Sequence, residues 1–307
     1  MRVLVTGGAG FIGGYLVRAL SELGFTVRVL DNFSRSSFTI EDLGDVEVIV
    51  GDVRDYDVVA RATRGVDVVV HLAALIDAFE SFEIPDVYLD VNVRGTLNIC
   101  RASRSVQTLI YASSAAVYGE SSVPVSEDNP TRPISPYGAS KLAGEAYVWA
   151  YSKVNNYRPV ILRIFNVYGP RQSRGYSGVI LEFVRRALRR EPPVIYGDGL
   201  QTRDFIHVSD VVRAVVKAIE RTNAIGVYNV GSGVPTRIVD LAYRILEITG
   251  LRDLKPVHAS PRPGDIRESY ADISRASKDL GFKPAIPLDD GLRELVEFEK
   301  KLISSSS

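Results

Sequence analysis

TGGAGFIG, at residues 6–13, is the segment from which the fold of this chain is predicted. It directly follows the apolar β-type run Val3-Leu4-Val5 and opens a helical pattern with apolar residues at Leu16, Val17 and Leu20. A glycine-rich turn between a strand and a helix is the setting in which backbone N–H groups bind a dinucleotide pyrophosphate. No Lys-Ser or Lys-Thr follows the glycines, so the pattern excludes a P-loop for nucleoside triphosphates.

The residues of this turn have separate tasks in a dinucleotide site. Gly7 permits the tight turn, Gly10 lets the backbone approach the pyrophosphate, and Gly13 allows close packing of the helix. Phe11 and Ile12 lie between the last two glycines. We predict that all five residues contact the cofactor NAD.

Asp31 ends the second β-type run roughly 20 residues after the glycines, where a carboxylate accepts hydrogen bonds from the adenosine ribose. Its charge would repel a 2′-phosphate and so favours NAD, whereas Arg35 nearby is a group that pairs with NADP. Asn32 shares the end of this run. Further cofactor contacts are predicted where later runs end, at Asp52, Val53, Leu72, Ala73 and Ala74.

Short apolar runs alternate with helix-length segments through the first half of the chain, at residues 3–5, 27–30, 46–50, 66–70, 108–111 and 159–163. Runs with little polar alternation describe a parallel sheet that is covered on both faces. We therefore predict an α/β fold with a doubly wound parallel sheet, the Rossmann arrangement. Its ligands would bind in the crevice where the strands end.

Loops rich in proline and glycine after Phe165 indicate a second, smaller C-terminal α/β domain that binds the substrate. The predicted units are a cofactor domain at residues 1–165 and a substrate domain at 166–303, followed by a tail at 304–307. The chain is expected to return to the cofactor domain around residues 204–230.

The composition restricts the partners of the protein. Its 307 residues include 37 basic and 37 acidic side chains, so no net field favours nucleic acid or an anionic membrane. The single Cys100 excludes an internal disulfide and a cysteine-based zinc site, and no metal site is predicted. No apolar stretch approaches the ~20 residues of a membrane span. We expect a cytoplasmic protein without nucleic-acid or membrane partners.

Tyr137 and Lys141 stand four residues apart, just after Ser135-Pro136, an N-cap followed by proline at the first helical position. Such residues share a helix face, so the phenol and the ammonium would point into one cavity. The ammonium favours the phenolate and brings the tyrosine pKa, ordinarily ~10, toward neutrality. The pair alone also fits an ordinary helix, but Ser113 and Ser114 follow the fifth strand and complete a Ser, Tyr, Lys constellation.

With this constellation the chain resembles the extended short-chain dehydrogenase/reductase family, and most closely its nucleotide-sugar 4-epimerase group. The resemblance spans almost the whole chain and implies a homodimer built partly from the Tyr137 helix. The matching segments are TGGAGFIG, HLAA at 71–74, DVNVRGT at 90–96, SSAAVYG at 113–119, SPYGASK at 135–141, RIFNVYGP at 163–170, RDFIHV at 203–208 and RPGD at 262–265.

The resemblance implies a role for each matching residue. Tyr137 would be the acid/base, Lys141 would hold the nicotinamide ribose, and Ser114 rather than Ser113 would bind the reacting hydroxyl. Asn92 would belong to the cofactor site and steady the Tyr137 helix. The grip on the nucleotide diphosphate would consist of Asn166, Tyr196 over the uracil, Arg203 and Arg262 on phosphate, and Asp265 on a ribose.

The implied reaction interconverts UDP-galactose and UDP-glucose through a transient 4-keto sugar, with NAD regenerated in every turnover. Related 4,6-dehydratases carry an Asp-Glu pair where this chain has Ala115 and Ala116, so dehydration lacks its general acid. Ser269 matches a gate beside the sugar ring, which keeps a UDP-N-acetylhexosamine as an alternative substrate. The chain also fits a UDP-glucuronate 4-epimerase, another NAD-dependent nucleotide-sugar oxidoreductase, or a catalytically silent NAD-sensing protein.

Overall fold

The computed structural model describes residues 1–172, 178–262 and 265–305 of the chain. Pro263 and Gly264 of the RPGD segment and residues 306–307 of the expected tail lie outside the described residues, whereas Ser304 and Ser305 belong to the last helix. The strands are β1 (Arg2–Thr6), β2 (Thr26–Asp31), β3 (Glu47–Val50), β4 (Val68–His71), β5 (Thr108–Ser114), β6 (Arg158–Ile164), β7 (Asn166–Tyr168), β8 (Val194–Tyr196), β9 (Thr202–His207), β10 (Gly226–Val230), β11 (Pro235–Arg237), β12 (Val257–Ala259) and β13 (Glu268–Ser269).

The α-helices alternate with the strands in the first half of the chain, and three helices of the second half pack against one another. They are α1 (Phe11–Glu22), α2 (Tyr56–Ala62), α3 (Glu80–Glu83), α4 (Pro85–Tyr88), α5 (Gly95–Ala102), α6 (Pro136–Asn155), α7 (Val179–Leu188), α8 (Val208–Glu220), α9 (Ile238–Ile248) and α10 (Leu288–Ser305). A π-helical turn, Leu89–Arg94, joins α4 to α5. No helix in the described ranges combines the length and the apolar character that crossing a bilayer requires.

The predicted doubly wound sheet is confirmed. Its seven strands run in the order β10-β6-β5-β4-β1-β2-β3, and every neighbouring pair is parallel. The order reverses between β1 and β4, so the connections that leave these strands diverge and open a crevice at their carboxyl ends. The glycine turn lies at this point, directly after β1.

Two apolar cores cover the faces of this sheet. Helices α1 and α8 pack on one face, where the predicted apolar positions Leu16, Val17 and Leu20 are fully buried. Helices α2, α5 and α6 cover the other face. Burial on both faces explains why the strands are nearly continuous runs of valine, leucine and isoleucine.

Helix α6 presents the Tyr137-Lys141 pair, and its limits follow from the sequence. The Ser135 hydroxyl accepts a hydrogen bond from the Gly138 N–H at 3.1 Å, and Pro136 occupies the first helical position, as predicted. The helix ends at Asn155 and is followed by Asn156, whose φ of 56° is left-handed. A Cβ at Gly144 would lie 2.2 Å from the Tyr111 hydroxyl, so glycine there lets α6 lie directly against β5.

A smaller unit follows the sixth strand. Strands β11, β9 and β13 form one sheet to which β7 adds, β8 pairs with β12, and helices α7, α9 and α10 enclose a separate core. The chain returns to the large sheet through α8 and β10, because α8 packs on α1 and β10 pairs with β6. Residues 204–207, expected in the returning segment, lie instead in β9 of the small sheet.

Candidate active site

A cleft of about 750 Å³ lies at the carboxyl ends of the large sheet and extends to the second unit. This volume is in the range of small-molecule sites, ~300–1,000 Å³. The sequence-predicted residues that line it come from both units. They are Gly7, Gly10, Phe11, Ile12, Gly13, Asp31, Asn32, Asp52, Val53, Leu72, Ala73, Ala74, Ser114, Tyr137, Lys141, Asn166, Tyr196, Arg203, Arg262, Asp265 and Ser269.

The glycine turn is shaped to receive a pyrophosphate. Gly10 is the N-cap of α1, and among the described residues no side chain caps this helix start and no acidic residue occupies its first turn. Its unpaired N–H groups therefore face the cleft, where the helix dipole favours an anion. A Cβ at Gly7 would lie 2.7 Å from the Ala73 nitrogen, so this turn touches the end of β4. These observations fit the NAD that the sequence predicts.

Asp31 anchors the loop that receives the adenosine. One carboxylate oxygen accepts the Ala9 N–H at 2.9 Å and the other accepts the Phe33 N–H at 2.8 Å. Burial raises the pKa of Asp31, and the hydrogen bonds from the backbone counteract this rise. Both oxygens keep further lone pairs, which the predicted contact with ribose hydroxyls would use.

Asp52 and Asn32 form the next part of this wall. The Asn32 amide donates to Asp52 at 2.8 Å, and Arg54 pairs with the same carboxylate at 2.8 Å. The Arg54 guanidinium lowers the pKa of Asp52 to about 2. Asp52 thus stays charged and positions Asn32 at the adenosine end of the cleft.

Arg35, whose position in the sequence also allows an NADP contact, forms an ion pair with Glu80. Its guanidinium lies 2.6 Å from the Glu80 carboxylate on α3, and the Tyr88 hydroxyl donates to the other oxygen of Glu80 at 2.8 Å. Glu80 therefore neutralises Arg35, the cation with which the 2′-phosphate of NADP would pair. The sequence did not indicate Glu80, because α3 is a single turn without a periodic pattern.

Removing both carboxylates near Arg35 should relax the cofactor preference. We expect the double variant Asp31→Asn/Glu80→Gln to raise the ratio of bound NADP to bound NAD at least about tenfold, since one favourable ion pair is gained and one repulsion is lost. Protein incubated with equal NAD and NADP, washed and denatured would release both for mass spectrometry. Adding Arg35→Ala should remove the part of the gain that comes from the ion pair and leave the part that comes from the lost repulsion by Asp31. An unchanged ratio in the double variant would contradict the role of Glu80.

Tyr137 lies on the cleft wall in the first turn of α6. Its side chain is 9% exposed, and its ring packs edge-on to Tyr88 with centroids 6.4 Å apart. The Tyr137 N–H donates to the Ser81 hydroxyl at 3.1 Å, which ties the start of α6 to α3. The phenol is therefore held between two elements rather than by its own helix alone.

Lys141 follows one turn later and is 3% exposed. Its ammonium donates to the Ala112 carbonyl at 2.8 Å and lies 5.2 Å from the centre of the Tyr111 ring. Burial lowers the pKa of Lys141 to about 7, and the charge of Glu145 opposes this fall. The predicted pair thus shares one wall of one cleft.

The two serines after β5 face different groups. The Ser113 hydroxyl donates to the Glu145 carboxylate at 2.5 Å inside the protein. The Ser114 hydroxyl accepts the Ala116 N–H at 3.1 Å and lies at the cleft with its own proton available. This arrangement supports the choice of Ser114 over Ser113 as the partner of the reacting hydroxyl.

Asn92, predicted in the cofactor site, lies behind the cleft wall and is 1% exposed. Its amide nitrogen donates to the Leu75 carbonyl and to the Ser140 hydroxyl, both at 2.9 Å, and its oxygen accepts the Leu75 N–H at 2.8 Å. Through these hydrogen bonds the Asn92 carboxamide joins the loop after β4, at Leu75, to α6, at Ser140. Its place corresponds to the expected steadying of the helix, not to a direct cofactor contact.

The residues expected to grip the diphosphate come together on the second unit. Arg203 on β9 is ion-paired with Asp265, and Ser269 lies opposite Arg203 in the register of β13 with β9. The Asn166 amide donates to the Asp204 carbonyl at 3.0 Å, which places β7 beside these groups. Asp265 is predicted to bind a ribose, and in the structure its carboxylate pairs with Arg203.

Arg262 lies between two aromatic rings that belong to different units. Its guanidinium carbon is 3.8 Å from the centre of the Tyr196 ring and 5.2 Å from the centre of the Phe79 ring. Tyr196 is predicted to cover a uracil, and in the structure its ring face makes a cation–π contact with the Arg262 guanidinium. Phe79 was not anticipated, because an exposed aromatic residue in a loop before a short helix carries no sequence signal.

Comparison with known proteins identifies the family of this chain. The model of the NAD dependent epimerase/dehydratase family matches residues 3–231. A protein of Methanocaldococcus jannaschii, whose assignment as a UDP-glucose 4-epimerase is provisional, is 39% identical over 97% of this chain and 98% of its own length. The UDP-glucose 4-epimerase of Mycolicibacterium smegmatis is 38% identical over 97% of this chain and 98% of its own length.

Solved structures with the same fold bind different sugars. The UDP-glucose 4-epimerase of Thermotoga maritima with UDP-glucose has a TM-score of 0.92 at 36% identity, covering 99% and 100% of the two chains. A UDP-N-acetylglucosamine 4-epimerase of Methanobrevibacter ruminantium scores 0.92 at 35% identity, covering 98% of each chain. A UDP-glucuronic acid 4-epimerase of Bacillus cereus, with NAD, scores 0.91 at 34% identity, covering 98% and 100%.

Proposed function

The chain belongs to the NAD dependent epimerase/dehydratase family and is an NAD-dependent nucleotide-sugar epimerase, and we propose that its reaction interconverts UDP-glucose and UDP-galactose. One observation carries the proposal. Ser114, Tyr137 and Lys141 share a cleft with the glycine turn, while Ala115 and Ala116 stand where a dehydratase needs its acids. The cleft can therefore move a proton and a hydride at one carbon without eliminating water.

The chain's own residues handle the proton. Tyr137 removes the proton of the sugar 4-hydroxyl as the 4-keto sugar forms, and it returns the proton to the opposite epimer. The Lys141 ammonium stabilises the phenolate, and Ser114 orients the hydroxyl by a hydrogen bond. NAD, held at the glycine turn, supplies the chemistry of taking up one hydride and giving it back.

The second unit supplies the grip on the nucleotide. Arg203 and Arg262 line the same cleft as Tyr137, and guanidinium groups bind phosphate oxygens in a two-pronged geometry. The ring of Tyr196 beside Arg262 offers a flat surface for a uracil. Asn166 and Asp265 complete this wall, and we propose that Asp265 accepts a ribose hydroxyl when phosphate engages Arg203.

The described walls near Tyr137 favour a neutral sugar over a uronate. Ala115, Ala116 and Ser269 carry no charge, and the two arginines already face Asp265 and aromatic rings. A carboxylate at the sugar C6 would need a cation to offset its desolvation. The described residues of the cleft therefore favour a neutral UDP-sugar over UDP-glucuronate.

A substrate panel tests the proposal. Purified protein given UDP-galactose should form UDP-glucose, read by a UDP-glucose dehydrogenase reaction that couples product to NADH. UDP-glucuronate and dTDP-sugars serve as comparison substrates under the same conditions. Turnover of another nucleotide sugar with none of UDP-galactose would overturn the assignment, and NAD release without any turnover would indicate a silent NAD-binding protein.

Ser269 supports a second substrate, UDP-N-acetylglucosamine. Its small side chain lines the cleft at a position expected beside the sugar ring, so an acetamido group has room. We expect Ser269→Tyr to lower kcat/KM for UDP-N-acetylglucosamine by more than about tenfold while UDP-galactose changes by less than about threefold, as the phenol fills this room. Ser269→Ala is the matched control and should leave both rates intact. Equal losses for both sugars would contradict the gate.

We also propose that the enzyme is a cytoplasmic homodimer. Large apolar side chains are exposed on α6 and just before α5, with Val154 78%, Leu89 56% and Tyr147 36% exposed. A second copy would remove this surface from water. Light scattering of the purified protein should give about twice the monomer mass, and a monomer at micromolar concentration would refute the pairing.

A further inference from the structure

A charged cluster lies behind the active site and plays no part in the chemistry described so far. Glu145 is 4% exposed and Arg163 is 5% exposed. The Arg163 guanidinium donates to both carboxylate oxygens of Glu145, at 2.9 and 2.7 Å, and Ser113 donates to one of them at 2.5 Å. Ser113 and Arg163 are direct partners in the register of β5 with β6. Sheet and helix therefore fix the carboxylate from two sides.

The far side of the cluster is also anchored. The Arg163 guanidinium carbon lies 4.7 Å from the centre of the Tyr118 ring, and Arg163 donates to the Glu127 carbonyl at 3.3 Å. Apolar residues of similar volume commonly stabilise a fold as well as a buried ion pair does. Stability alone therefore does not account for an ion pair at this place.

Glu145 lies one helical turn beyond Lys141, as Lys141 lies one turn beyond Tyr137. The ammonium also lies beside the ring of Tyr111 and the Ala112 carbonyl, and its charge acts on His71. Burial and the charge of Lys141 lower the pKa of His71 to about 3, so this imidazole stays neutral. Among the described residues that act on Lys141, Glu145 is the carboxylate whose charge opposes the effect of burial.

We propose that Glu145, held by Arg163 and Ser113, is a positioning residue that keeps the Lys141 ammonium charged beside Tyr137. The inference rests on the proposed function, because it concerns the proton that 4-epimerisation moves. A neutral Lys141 would no longer stabilise the Tyr137 phenolate. The cluster thus sets the fraction of enzyme molecules in which Tyr137 is a phenolate while Lys141 is an ammonium.

The pH dependence of kcat separates this role from a structural one. Each proton that leaves the Tyr137-Lys141 pair makes the site more negative, and the Glu145 charge resists each loss. In Glu145→Gln both limbs of the profile should therefore move to lower pH by about one unit, a typical effect of one nearby charge. The maximum of kcat should fall about tenfold. Without the Glu145 charge the proton moves from the Lys141 ammonium to the Tyr137 phenolate, and fewer enzyme molecules then hold the phenolate that acts as the base.

Three further variants define the comparison. Ser113→Ala keeps the carboxylate charge and should leave both limbs in place. Glu299→Gln removes another buried carboxylate, which lies 3.0 Å from the partly buried Arg185 in the second unit, and should not move the profile. Glu145→Gln/Arg163→Met removes both charges and so avoids a lone buried guanidinium. Its limbs should move in the same direction by less than in Glu145→Gln, because the loss of the Arg163 cation partly offsets the loss of the Glu145 anion, and this variant keeps the test available if the single variant does not fold.

The outcomes are distinguishable. A shifted profile in the Glu145 variants with unshifted Ser113 and Glu299 variants supports the inference, and mass spectrometry should find NAD bound in all of them. Limbs that coincide with those of the wild type would overturn it, whatever the loss of rate. Failure of the wild type to convert UDP-galactose would instead refute the proposed substrate, and the profiles would then be measured with the nucleotide sugar that it does convert.

Discussion

Tyr137→Phe is expected to lower kcat for UDP-galactose by about 10³-fold, because the cleft loses the group that takes and returns the sugar proton. The ring remains, so its edge-on packing against Tyr88 should survive with the fold. Bound NAD should also remain, since the glycine turn does not involve the phenol. Initial rates with the coupled assay and NAD content after denaturation measure both effects.

Tyr147→Phe is the matched control for this substitution. It removes a phenol from the same helix ten residues later, on a side chain that is 36% exposed and outside the described cleft lining. It should leave kcat and NAD content unchanged. A Tyr137→Phe enzyme with more than about a tenth of the wild-type rate would remove Tyr137 from its role.

Gly13→Ala should abolish stable NAD binding and destabilise the fold by about 3 kcal/mol. The added Cβ would lie 2.0 Å from the Gly7 oxygen and 2.7 Å from the Gly8 Cα. Both are backbone atoms, so neither can move away as a flexible side chain would. Alanine ordinarily stabilises a helix interior relative to glycine, so a loss of stability would isolate the clash. Thermal unfolding and mass spectrometry of released NAD are the measurements.

Gly24→Ala is the comparison for Gly13→Ala. Gly24 has a φ of +81°, and a Cβ there would meet nothing within 4 Å. Its left-handed backbone should cost about 1 kcal/mol with alanine, and NAD should stay bound. If Gly13→Ala behaves like Gly24→Ala, the close approach of the turn to α1 does not control the cofactor site.

The sequence predicts those parts of the site that depend on local order. The glycine turn follows a strand, Tyr137 and Lys141 are four residues apart, and Ser114 ends β5, so neighbours along the chain determine their positions. Parallel strands bring their carboxyl ends to one edge, which explains why Asp31, Asp52 and Ala73 could be assigned to the cleft from strand ends alone.

Contacts between distant segments could not be predicted in the same way. The Glu145 and Arg163 pair depends on the register of β5 with β6 and on the close packing of α6, for which one sequence offers no pattern. The Arg262 stack joins Phe79 of the first unit to Tyr196 of the second. Asn92 likewise matched a family segment, but the depth of its side chain behind the cleft follows from packing.

The most direct test of the account uses UDP-galactose with deuterium at C4 of the sugar. We propose that the cleft oxidises this carbon and returns the same hydride to its other face. NMR and mass spectrometry should then find UDP-glucose that retains the deuterium at C4. Loss of the label to water, or a keto sugar accumulating with reduced cofactor, would contradict the account.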